Sequence, residues 1–203
     1  MRSALVLVGG EARRAGGQEK YFFSYGGKTF IECLLDTLRE VVDEIVVVAK
    51  DPEQCDRFSH ITDVRCIPDI RRGIGPIGGL HAGAIEACGD YLFAVACDMP
   101  CINRDVVDLL FALAEGYDAA IPCWAKDTLE PLHAVYRRAA LFEYLKEHEE
   151  LSLRAMVKSL NTRYVSVERL RALDPELLTF TNINKLEDLT GIDGMAGCAG
   201  PGR

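Results

Sequence analysis

Residues 4–20 read Ala4-Leu5-Val6-Leu7-Val8-Gly9-Gly10-Glu11-Ala12-Arg13-Arg14-Ala15-Gly16-Gly17-Gln18-Glu19-Lys20. Five apolar residues in a row, stopped by two glycines, predict a strand buried on both faces. A strand of that kind needs helices above and below it. The expected fold is therefore α/β, a doubly wound, mostly parallel sheet in three layers, α/β/α. In open sheets of this class the ligand site lies beyond the carboxyl ends of the strands. The residues that follow each apolar run are the ones expected to carry chemistry.

Outward from that stretch the same rhythm repeats. A helix is expected over Lys28–Val42, with Thr29 and Glu32 at capping-box spacing and Ile31, Leu34, Leu35, Leu38 and Val42 on one face. Strands follow at Ile45–Ala49 and Val64–Ile67, then a helix rich in small residues over Ile77–Cys88. Tyr91–Ala96 is a further apolar strand, and Asn103 caps a helix carrying Val106, Val107, Leu110 and Leu113. Ala119–Ile121 is a short strand. Past Lys126 the expectations are strands at Leu132–Tyr136, Tyr164–Val167 and Leu178–Ile183, helices at Ala139–Glu149 and Ser152–Leu160, and one or two helical turns at Lys185–Leu189. The Gly-rich stretch 191–203 reads as a tail, leaving residues 1–190 as one domain.

Length and composition exclude several classes. At 203 residues, 49% hydrophobic and 27% charged, the chain has the make-up of a soluble globular domain rather than of a fibrous or disordered one. Lys plus Arg number 23 against 31 Asp plus Glu, a net charge of −8, so nucleic acid and anionic membrane are not expected partners. No apolar run reaches eighteen residues and the first ten do not resemble a secretory signal, so the expected location is the cytoplasm. The eight cysteines then read as mostly reduced, and Cys97 and Cys101, with no second Cys or His pair following, are only a weak zinc signal.

The stretch after the first strand is glycine-rich and basic. Glycines allow successive amides to point into one concavity, and Arg14 and Lys20 add full positive charges, a combination suited to a polyphosphate. The other reading is a surface loop whose arginines pair with carboxylates; the loop's place at a strand end in an acidic protein favours phosphate. It is not a Walker A loop, because Gly-Lys-Ser/Thr is absent. Asp98 follows the strand Tyr91–Ala96 and is either a Mg²⁺ ligand or a turn residue ahead of Met99-Pro100. The sequence Gly73-Ile74-Gly75-Pro76-Ile77-Gly78 matches a dinucleotide fingerprint with Asp98 about twenty residues on. Its context does not: Pro68–Arg72 separate it from the preceding strand, and it follows the third strand rather than the first.

Taken with the motifs that follow it, Leu7-Val8-Gly9-Gly10 with Arg14, Gly16 and Lys20 resembles the signature of nucleotidyltransferases that move an NMP group from an NTP. More narrowly, the chain resembles the molybdenum cofactor guanylyltransferases. Pro68-Asp69, Gly75-Pro76-Ile77 with Gly79, Cys97-Asp98-Met99-Pro100, Glu130-Pro131-Leu132 and Asn182-Ile183-Asn184 ahead of Glu187-Asp188-Leu189 recur in that family's order, and with the first motif they span residues 5–189. Val8 stands where the family usually has Ala, and Ala15 where it usually has Met, which affects loop packing and no charged position.

The resemblance implies a Rossmann-like nucleotidyltransferase fold. It implies transfer of GMP from GTP to the terminal phosphate of molybdopterin, with or without molybdenum, and release of pyrophosphate. Arg14, Lys20 and Asp98 would carry the chemistry, with Asp98 on Mg²⁺. Leu7, Val8, Gly9, Gly10, Gly16, Asp69, Gly75 and Pro76 would line the nucleotide. Glu130, Pro131, His133, Asn182 and Asn184 fall in the acceptor segments, though His133 also reads as an ordinary strand histidine and either asparagine as a turn cap. Transient contact with other molybdenum cofactor biosynthesis proteins is a further implication. The rival functions are a cytidylyltransferase of the same fold and a guanine-nucleotide binder without turnover. Gly75-Pro76-Ile77 looks more like the guanylyl branch, and keeping Arg14, Lys20 and Asp98 together argues for turnover.

Overall fold

The computed structural model describes residues 1–9, 24, 25, 27–71, 73–125, 128–148 and 152–183. Its elements in chain order are β1 Arg2–Leu7, β2 Ser24–Tyr25, β3 Lys28–Thr29, α1 Phe30–Arg39, β4 Glu44–Ala49, α2 Pro52–Asp56, β5 Arg65–Pro68, α3 Pro76–Glu86 and β6 Tyr91–Ala96. They continue with α4 Arg104–Ala114, β7 Ala119–Ala125, β8 Thr128–Leu129, β9 His133–Arg137, α5 Arg138–Glu147, α6 Leu153–Ser159, β10 Thr162–Ser166 and α7 Val167–Leu170.

The main sheet runs β10-β7-β9-β6-β1-β4-β5, with β8 paired to β7. On this path every neighbouring pair is parallel except those made by β9, which runs against both β6 and β7. Alternation along β1 shows why its apolar run is unbroken. Ala4, Val6 and Val8 face one core layer with α1 and α4, while Leu5 and Leu7 face the other with α3, α5 and α6. This is the doubly wound, three-layer α/β fold expected from the sequence.

Local signals set most element boundaries. Thr29 and Glu32 form the full capping box of α1, and the Asn103 side chain accepts from the N–H groups of Asp105 and Val106 to start α4. The small residues of α3 bring it close to the sheet: a Cβ on Gly83 would lie 2.5 Å from Leu5 Cδ1, so a larger residue would have to displace the buried Leu5 side chain. Helix α2 was not expected. Asp51 caps it through Gln54 N–H and Pro52 opens it, but five residues are too few to show a helical period.

One expected strand is absent. Residues 178–183 do not extend; Leu178–Phe180 form a 3₁₀ turn behind Leu177, whose φ of +53° is left-handed. The Asp174 carboxylate accepts from Thr179 N–H at 2.8 Å, and Phe180 and Thr181 bond back to Leu177 and Leu178. With its backbone groups satisfied locally, the segment buries Phe180 by turning inward rather than by joining the sheet. The helical turn expected at Lys185–Leu189 and the tail at 191–203 lie outside the described residues. Among the described residues Cys55, Cys66, Cys88, Cys97, Cys101 and Cys123 form no disulfide.

Candidate active site

Strand β1 has β4 on one side and β6 on the other, and the chain passes from β1 to β4 and β5 before crossing back to β6. The crevice between the carboxyl ends of β1 and β6 is therefore the switch point at which sheets of this class bind ligands. There Cys97 N–H donates to Leu7 O at 3.2 Å and Val8 N–H to Val48 O at 3.0 Å, so both strand ends continue one residue past their ladders. Leu7 and Val8 are buried and Gly9 is exposed at the mouth. Gly10, Arg14, Gly16 and Lys20 lie outside the described residues.

Asp98 is half-buried at the end of β6. Its main-chain carbonyl accepts from Ile183 N–H at 2.8 Å, which brings the Asn182-Ile183 pair from the far end of the chain to this crevice. Ile183 is buried and Asn182 exposed; Asn184 lies outside the described residues. Because β9 is antiparallel to β6, with His133 opposite Val95, the Glu130-Pro131 segment that precedes β9 emerges at this same end. Glu130 N–H donates to Pro122 O and Glu130 O accepts from His133 N–H, closing a tight turn, while Tyr136 Oη donates to Pro131 O at 2.7 Å.

On the other flank, Asp69 follows β5 and its N–H donates to Ala49 O at 2.7 Å. Its Oδ1 accepts from Arg71 N–H at 2.7 Å, and its carboxylate lies over the first turn of α3. A Cβ on Gly78 would stand 2.5 Å from that Oδ1 and 2.7 Å from Arg71 O, so glycine is required for the close approach. Gly75, with φ of +74°, caps α3 ahead of Pro76, and both are exposed. Arg71 is turned away from the crevice, donating to Leu145 O at 3.3 Å on α5.

His133 has no exposed surface. Phe93 and Phe180 rings stand against it at 5.1 and 4.8 Å between centroids, and burial lowers its pKa to about 3, so the ring is neutral. Its Nε2 lies 3.1 Å from Thr179 Oγ1, which also accepts from Asn103 N–H at 3.1 Å, and its Nδ1 has no hydrogen-bond partner. It locks the 3₁₀ turn to the sheet and offers nothing to a ligand directly. Sequence reasoning missed Thr179 and Trp124. The Trp124 indole N–H donates to Glu130 Oε1 at 2.7 Å, and burial raises the Glu130 pKa against the lowering effect of that bond. No helical or strand period singles out either residue.

The geometry gathers Leu7, Val8, Gly9, Asp98, Asn182 and the Glu130-Pro131 turn at one edge of the sheet, with Asp69, Gly75 and Pro76 at its β5 flank. Known proteins share both the sequence and the architecture that produce it. A "Probable molybdenum cofactor guanylyltransferase" of Methanosarcina acetivorans is 41% identical over 203 residues, 95% of this chain and 90% of the relative. Its counterpart of the same name in Methanosarcina mazei is 40% identical over 204 residues, covering 96% and 91%. The crystal structure of molybdopterin-guanine dinucleotide biosynthesis protein A from Archaeoglobus fulgidus superposes with a TM-score of 0.79 at 33% identity, over 94% of this chain and 96% of that one. The family model described as the MobA-like NTP transferase domain matches residues 4–165, from the first residue of the β1 core to the last buried residue of β10. With the switch-point crevice intact and the match running through both its flanks, the chain belongs to the MobA-like NTP transferase family.

Proposed function

We propose that this protein transfers GMP from GTP to the terminal phosphate of molybdopterin, forming molybdopterin guanine dinucleotide and releasing pyrophosphate. One observation carries the reading: the bond from Ile183 N–H to the main-chain carbonyl of Asp98 brings the last described motif of the chain to the end of β6, beside the end of β1. The names of the relatives point to the same reaction.

In the reaction an oxygen of the acceptor phosphate attacks the α-phosphorus of GTP. One P–O bond forms, the bond from the α-phosphorus to the bridging oxygen breaks, and its electron pair leaves with pyrophosphate. A phosphate monoester has its second pKa near ~6, so the attacking oxygen is already ionised at neutral pH and no general base is required. What remains for the protein is alignment and charge neutralisation. The amides of Gly9 and Gly10, with Gly16, would approach the β- and γ-phosphates, and Arg14 and Lys20 would balance charge on the leaving group. Asp69, Gly75 and Pro76 would line the nucleotide from the β5 flank. Glu130, Pro131 and Asn182, with Asn184, would line the acceptor, while His133 holds the turn behind them.

Mg²⁺ fits the donor chemistry at Asp98, since it prefers hard oxygen ligands and uses one or two carboxylates beside water and substrate phosphates. Among the described residues there is no group of three or more His, Cys, Asp or Glu that could form an all-protein cage, which Mg²⁺ does not require. When bound, the ion would supply positive charge to the phosphates; Asp98 would hold it, and Asn182 precedes the residue whose N–H bonds to the Asp98 main-chain carbonyl. The reaction belongs in the cytoplasm, with transient handover to other cofactor-assembly proteins. Among the described residues no helix is long and apolar enough to cross a membrane.

The test is thermal denaturation with each of the four NTPs, with and without Mg²⁺, followed by a transfer assay with molybdopterin. A ligand at ~100 times its Kd raises stability by ~2.7 kcal/mol. The expected result is a shift with GTP that grows with Mg²⁺, and release of pyrophosphate only when molybdopterin is added. Equal shifts with all four nucleotides, or transfer from CTP in preference to GTP, would overturn the guanylyl assignment.

A further inference from the structure

Trp124 is the chain's single tryptophan and the penultimate residue of β7, with 43% of its surface exposed. Exposed indoles are normally mobile; this one is held. Its N–H is taken by Glu130 at 2.7 Å, and its ring rests on Phe180 at 5.7 Å with the planes at 67°. Phe180 is fixed in turn against His133, and three residues after Phe180 the Ile183 N–H bonds to Asp98 O. The indole is thereby linked, through Phe180 and the turn that follows it, to the backbone of Asp98 at the end of β6. Strand β7 is parallel to β6 across the intervening β9, so the carboxyl ends carrying Trp124 and Asp98 lie on one edge, two strand spacings or about 10 Å apart.

We infer that Trp124 is the stacking platform for the pterin ring of the acceptor, an inference that rests on the function proposed above. In an in-line displacement the incoming oxygen and the leaving pyrophosphate lie on opposite sides of the α-phosphorus. With the pyrophosphate held at the loop after β1, as the proposed function has it, the acceptor would approach from the flank beyond β6, where β9 begins and β7 ends. A fused ring joined to its phosphate by a short arm spans the distance from Trp124 to Asp98. A ring held by Glu130 and Phe180 before the ligand arrives loses little freedom on stacking, which is the condition for an aromatic platform to add affinity. The residue binds and orients substrate; it takes no part in bond making.

The single tryptophan is its own reporter. Titration of the full chain with 6-hydroxymethylpterin phosphate should quench its emission, after correction for pterin absorption, while GTP alone should leave it nearly unchanged. In the transfer assay Trp124→Ala should raise the KM for molybdopterin roughly ten- to hundredfold, as loss of one ring–ring stack does, with kcat and the KM for GTP little altered. Trp124→Phe should recover most of the loss. An unchanged molybdopterin KM in Trp124→Ala overturns the inference, and so does a rise in the GTP KM instead, which would make guanine the occupant. If the wild-type protein transfers no GMP to molybdopterin, the functional reading fails, and quenching by the pterin phosphate still decides the platform.

Discussion

The two flanks of the crevice are built on different principles. On the β5 flank Asp69 is set by neighbours in sequence: Arg71 N–H two residues on, and the bare backbone of Gly78 in the helix that follows. On the β9 flank the links that join its pieces are long-range. Thr179 reaches His133 across 46 positions and Asn103 across 76, and Ile183 is bonded to Asp98 from the end of the described chain. A ligand group held by local turns survives disturbance elsewhere, whereas one held by long-range contacts depends on the packing of the whole third layer. The β5 flank should therefore respond to substitution as a rigid unit, and the β9 flank as a coupled network.

Four experiments probe that contrast, in falling order of expected effect. Asp98→Ala should cut turnover by ~10²–10³, the equivalent of ~2.7–4 kcal/mol of barrier, because charge stabilisation in such sites is worth that much. Melting should be little affected, and Asp69→Ala should act instead mainly on the KM for GTP; ordinary turnover in Asp98→Ala would mean that the chemistry lies elsewhere. Gly78→Ala places a methyl group against the Asp69 carboxylate and the Arg71 carbonyl, and overpacking of this kind costs ~1–3 kcal/mol. Chemical denaturation should register that loss together with weaker GTP binding, while binding of a pterin phosphate stays constant if the flanks are independent.

The third experiment reads the β9 network through pH. Folding lowers the His133 pKa from an ordinary 6.5 to about 3, so the unfolded chain binds the extra proton as pH drops below 6.5. Its contribution is whole above pH 6.5 and is lost progressively as pH falls toward 3, with a slope of about 1.4 kcal/mol per pH unit. Urea titrations between pH 6.5 and 5 should show that slope, and His133→Gln should flatten it; equal slopes in the two proteins would mean that His133 is not buried neutral. Last, Asn103→Ala removes the α4 cap and should cost about 1 kcal/mol. Since Asn103 N–H also supports Thr179, a slightly raised acceptor KM in this variant would sharpen the case for a coupled flank.

Much of the β5 flank was legible beforehand. Pro68-Asp69 and Gly75-Pro76-Ile77 are contiguous motifs, and glycine at a left-handed φ followed by proline reads directly as a helix start. The β9 flank was legible only in pieces. Glu130-Pro131 and Asn182-Ile183 stood out as motifs, but the apolar pattern of residues 178–183 fits a buried strand as well as an inward turn. The choice was made by the Asp174 carboxylate and the left-handed Leu177, which no period reveals. Trp124 gave no signal because its importance comes from the residues it meets, Glu130 across a hairpin and Phe180 far along the chain.

Sequence alone was enough for the α/β class, the central strands β1, β4 and β6 and the caps of α1 and α4, because each depends on side chains within about a turn of one another and on apolar runs that must be buried on both faces. That Ile183 meets the Asp98 carbonyl, that His133 is enclosed in the core, and that the one tryptophan meets Glu130 and Phe180 were settled by folding. Those relations are contacts between residues distant in the chain, and they acquire an energy only when the sheet has brought the strand ends to one edge.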